Sequence, residues 1–64
     1  MTQDLALEAA LRHLASADHA LNNACLMERH GLTELAERDL AEALTHEIAA
    51  LCCDRMAKIY EPKR

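Results

Sequence analysis

The chain has 64 residues, is 52% hydrophobic, and carries a formal net charge of −4 with a single aromatic residue, Tyr60. That length supports one domain at most, and a domain so small buries too little surface to be comfortably stable alone. The acidic balance argues against non-specific nucleic-acid binding and against docking on anionic lipid, since both need basic surface.

No apolar run approaches the roughly 20 residues of a membrane span. The opening MTQDLALEAA lacks the basic and apolar regions of a secretory signal. A cytoplasmic protein is expected, and three cysteines in a reducing compartment read as thiols rather than as a disulfide framework. Alanine and leucine dominate, Val is absent, and Ile occurs only at Ile48 and Ile59, a composition that favours helix over strand.

The first predicted helix runs over about 3–30, a stretch without Gly or Pro. Asp4, Leu7, Leu11, Leu14, Asp18, Leu21, Cys25 and Glu28 follow one another at alternating steps of three and four, which is a heptad seam. A second row, Ala10, Ala17 and Ala24, runs beside it, and small residues on a seam let two backbones approach closely. Arg12, Ser16, His19 and Asn23 form the opposite, wetted face.

The break falls at 30–33. Gly31 is the only glycine and can take the left-handed conformation that closes a helix. With Gly31 just past the cap, Leu32 and Met27 make the apolar pair of a Schellman motif. Thr33 then reads as the N-cap of the second helix. Arg29 and His30 before the break, and Glu34 after it, suit the two helix dipoles.

The second predicted helix covers about 34–60 and stops at Pro62. Its apolar stripe is Leu40, Leu44, Ile48 and Leu51, widened by Ala36, Ala41 and Ala43 and drifting to Cys52 and Ile59. Asp39, Glu42, Thr45 and His46 are expected to face away. A short basic tail, 61–64, ends the chain.

Two equal helices and a short connection predict an all-α, antiparallel helical hairpin as a single domain over 1–64. Folding back at Gly31 pairs residues whose numbers sum to roughly 63 or 64. Asp4 then lies near Arg55 and Lys58, and Arg29 near Glu34 or Glu37. In the same register Cys25 and Cys52 are about 20 Å apart, too far for a disulfide. One contact layer cannot cover the apolar width of both helices, so two hairpins are expected to pair as a homodimeric four-helix bundle. Leu7, Leu11, Leu14, Leu21, Leu40, Leu44, Ile48 and Leu51 are the candidate core of the hairpin or of that dimer.

Asp18 interrupts the leucine seam. Three roles fit it: a groove-edge carboxylate reaching water, a polar layer with Asn22, Thr45 or His46, or a catalytic acid. No second acid, base or nucleophile is arranged around it, so no enzyme is expected. His13, His19, His30 and His46 show no ligand spacing, and adjacent Cys52 and Cys53 lack the spacer of a zinc knuckle, so neither metal nor cofactor is expected. Cys25 reads as a small apolar seam residue, and Cys53 as a reactive surface thiol or an intermolecular cross-link. Leu5, Cys53, Met56 and Tyr60 lie off the seams near the open end of the hairpin. They are a candidate patch for a protein partner or for the dimer itself.

The turn RHGLTEL between two equal Ala/Leu-rich helices resembles the architecture of the repressor-of-primer family. The resemblance is architectural, covers the whole chain, and implies a dimeric four-helix bundle that binds paired RNA loops. The chain departs from it where a basic stripe would be needed, because helix one offers only Arg12, His13, His19 and Arg29. Some secretion co-chaperones and small phage regulators resemble it at the same level. The expected function is a small, non-enzymatic regulatory or adaptor protein of bacterial or phage type, acting through homodimerisation and protein contacts. An RNA-binding bundle, a co-chaperone-like hairpin and a thiol- or metal-responsive switch are the alternatives.

Overall fold

The computed structural model describes residues 2–62 and consists of two helices, α1 (Gln3–Arg29) and α2 (Thr33–Ile59), packed against each other. The basic residues Lys63 and Arg64 of the expected tail lie outside the described residues. α1 starts where Thr2, in extended conformation, accepts the Leu5 N–H on its hydroxyl at 3.2 Å. That bond satisfies one of the donors that a helix N-terminus leaves open. Asp4 in the first turn and Arg29 in the last complement the dipole.

The helix break is a Schellman motif. Gly31 has φ +74°, the left-handed region, and follows the cap residue His30. The Gly31 N–H donates to the Glu28 carbonyl at 3.0 Å, and the Leu32 N–H to the Met27 carbonyl at 2.9 Å. These are the two bonds the motif requires. Thr33 does not act as a cap, however. Leu32 occupies the N-cap position of α2 without a side-chain hydrogen bond, and Thr33 is the first helical residue. The Schellman geometry brings the chain round within one residue of Gly31, so the second helix starts before Thr33 can turn its hydroxyl to the open donors.

The contact between the helices is made by alanine. Ala6, Ala10, Ala17, Ala20 and Ala24 of α1 are buried, as are Ala43, Ala50 and Ala57 of α2. They fall at steps of three, four or seven, so each row keeps to one face of its helix. His13 completes the α1 row between Ala10 and Ala17, and Met27 ends it; both are half-buried. On α2 the half-buried Ala36, Asp39, His46 and Cys53 fill the gaps in the same rhythm. His13 touches His46, which fixes how the rows align.

Three expectations change. The leucine stripes do not lie between the helices: Leu11, Ile48 and Leu51 are 68%, 62% and 65% exposed. Cys25, on the same seam, is exposed as well. Alanine methyls let the backbones approach, which leaves no room for leucine in the layer. Next, the register is slipped by about one helical turn from the expected one. Residue 13 meets His46 rather than residue 50 or 51. The expected ion pairs at the two ends are accordingly not formed, and Arg12–Glu8, within α1, is the one salt bridge among the described residues. Finally, Asp39 and His46 turn towards α1 instead of away from it.

Candidate functional site

The alanine seam divides the hairpin into two unlike long faces. On one side, a groove is lined by Leu21 and Cys25 of α1 with Glu37 and Leu40 of α2. Further along, Leu14 meets Glu47, Leu51 and Asp54 in a second groove. Leu14, Leu21, Leu40 and Leu51, from both helices, therefore share this face, whereas Leu5 lines a groove on the other. Leu7 and Leu44 join the leucine face by heptad spacing from Leu14 and Leu51, Leu11 lies one turn from both Leu7 and Leu14, and Ile48 lies one turn past Leu44.

The other side is polar. Ser16, His19 and Asn23 of α1 face Glu42 and His46 of α2 across one groove. The neighbouring groove is lined by Glu8, Arg12 and His13 with His46. Arg12 donates to Glu8 at 2.9 Å from one turn away. Both grooves are open channels rather than enclosed cavities, and they meet at His46.

His13 and His46 form the one side-chain hydrogen bond between the helices among the described residues. Their Nδ1 atoms are 3.0 Å apart, with ring centroids 5.3 Å apart and planes tilted by 34°. One Nδ1 must carry a hydrogen and donate it, while the other accepts. Neither histidine stands out in a search for the leucine stripe. The rhythm of the alanine row does reveal them: each follows an alanine by three and precedes another by four. Among the described residues no group of three His, Cys, Asp or Glu side chains is gathered to hold a metal ion.

Asp18 is exposed on the leucine face. It is not the polar layer of the hairpin: His46 bonds His13, and Thr45 donates its hydroxyl to the Ala41 carbonyl at 3.0 Å. The patch of Leu5, Cys53, Met56 and Tyr60 is divided. Leu5 and Tyr60 are exposed, but Cys53 and Met56 are half-buried against α1. Cys53 shares the alanine rhythm, four residues before Ala57, and so is not the surface thiol of the pair; Cys52 is exposed. No helix of the described residues is long and apolar enough to cross a membrane.

Comparison with protein-family models, with curated proteins and with solved structures finds no match. The chemistry of the chain is thus read from its own two faces and the histidine pair between them.

Proposed function

We propose that the chain is a small, non-enzymatic regulatory or adaptor protein of bacterial or phage type. It pairs with a second copy through the leucine face to make a cytoplasmic four-helix bundle, and it acts by binding another protein. The observation that carries this reading is the inversion of burial: alanines lie inside the hairpin and leucines outside it. A leucine contributes about 1.5–3 kcal/mol when taken out of water, far more than a methyl, so the larger apolar resource of the sequence is unspent in one hairpin.

Surface area agrees in magnitude. The chain exposes 5213 Å². A compact 7.1 kDa monomer is expected to expose about 4,100 Å². The excess, about 1,100 Å², is comparable to the roughly 800 Å² that each partner covers in a standard interface. A second copy of the leucine face supplies a surface of the right length and apolar character. The polar face then points outwards with its open grooves, which suit contact with another macromolecule more than the enclosure of a small substrate.

Sedimentation equilibrium tests the reading: a dimer at micromolar concentration is expected, and a folded monomer there would overturn it. Salt-sensitive retention on heparin would instead favour the RNA-binding bundle.

A further inference from the structure

We propose that His13 and His46 form a proton-sensitive latch, which holds the helices in register while at most one ring is charged and releases the middle of the hairpin when both are. The proposal concerns the hairpin itself and stands apart from what covers the leucine face.

The pair occupies a layer of the seam whose neighbours are buried alanines: Ala10 and Ala17 on α1, Ala43 and Ala50 on α2. Those layers hold only methyl groups and contain nothing directional. The Nδ1–Nδ1 bond at 3.0 Å is therefore the specific polar link between the helices. With both rings neutral, one Nδ1–H donates to the other Nδ1. With one proton added, an imidazolium donates to a neutral ring, and the bond becomes charge-assisted. A second proton removes the acceptor. Two N–H groups and two positive charges then meet, and the rings must separate.

The surrounding charges do not cancel this. From α1, Glu8, Arg12 and His19 line the grooves that hold the pair. Glu8 is engaged by Arg12 at 2.9 Å, and His19 adds positive charge in acid. From α2, Glu42 shares a groove with His46, and Glu47 stands next to it in sequence on the leucine side. Both carboxylates are exposed and can offset part of one imidazolium through water, but they cannot restore the lost acceptor. The unfolded chain takes up the second proton without this conflict, so the stability that the first proton adds to the bond is lost again, together with the bond, when the second is bound.

Melting of the full chain at fixed concentration, followed by circular dichroism from about pH 8 to about pH 5, reads the effect. The melting temperature is expected to drop by about 5 °C more in the wild type than in the His13→Ala, His46→Ala double variant. In that variant alanine continues the seam, and the carboxylate contributions common to both chains cancel. His13→Asn keeps a donor and an acceptor without the second charge and is expected to behave as the double variant does. His19→Asn is expected to keep the wild-type drop. Parallel profiles for wild type and double variant would overturn the latch, as would loss of the drop in His19→Asn. Nitrogen NMR of the wild-type rings gives a readout that needs no variant. A coupling across the Nδ1–Nδ1 hydrogen bond of His13 and His46 is expected, and its absence would refute the proposal.

Discussion

Leu32 donates its backbone N–H to the Met27 carbonyl at 2.9 Å, closing the loop around Gly31 at φ +74°. A Cβ added at Gly31 would meet no atom within 4 Å. Crowding is thus absent, and the cost of Gly31→Ala is the left-handed backbone alone, about 1 kcal/mol. Gly31→Asn should cost less, because Asn tolerates that region. Urea denaturation of the three chains checks the order, and an alanine variant as stable as wild type would mean that the turn does not hold the hairpin.

The two threonines next to helix starts make opposite predictions. Thr2 caps α1 through its hydroxyl, so Thr2→Ala should destabilise by about 1 kcal/mol. Thr33 makes no such bond, so Thr33→Ala should change stability by only a few tenths of a kcal/mol. Thermal melts of both variants would reveal an error in either assignment.

Ala17 and Ala43 are 2% and 1% exposed. Replacing either by Leu forces the helices apart and should destabilise by about 1–3 kcal/mol. Ala15→Leu on the exposed side serves as the control and should be near neutral. If Ala17→Leu melted at or above the wild-type temperature, the alanine seam would not be the contact layer in solution.

These alanines also show what a reader of the sequence alone can and cannot see. The two helices, the break at Gly31 and the Met27–Leu32 pairing all follow from local signals: uninterrupted helix formers, one glycine, and apolar residues at set offsets. Which stripe faces which neighbour does not. The leucine and alanine rows on α1 have the same three-four rhythm, and hydrophobic weight favours leucine. A hairpin that packs through methyls inverts that ranking. The leucine stripe as contact turns Asp39 and His46 outwards, and a fold-back centred on Gly31 slips the register by a turn; together they hide the His13–His46 contact.

Leu14 and Leu51 line one groove of the leucine face, from opposite helices. The double change Leu14→Glu, Leu51→Glu should leave helix content intact, since Leu51 is 65% exposed and Leu14 also lies outside the seam. It should weaken self-association at least tenfold in sedimentation equilibrium, because charges replace apolar contact. Unchanged association would move the interface to another face.

Thiol chemistry separates the three cysteines. Cys52 is exposed away from the leucine face and should react rapidly with a thiol reagent in the native chain, whereas half-buried Cys53 should lag until unfolding and Cys25, which lines a groove of the leucine face, should react rapidly only where that face is uncovered. Three equal rates would contradict the placement of Cys53 in the seam.

The alanine layers have a consequence for how the chain can change length. Ala10, Ala17 and Ala24 repeat every seven residues, and so do Ala36, Ala43, Ala50 and Ala57. Sliding one helix along the other by a heptad exchanges methyl for methyl, so the layers themselves carry no index. The Gly31 turn and the residues that interrupt the rows, the histidine pair above all, mark the position. A protease nick in the turn would leave two helices free to re-pair at several offsets. By the same logic, a matched pair of seven-residue insertions, one in each helix, would lengthen the rod without disturbing its ends.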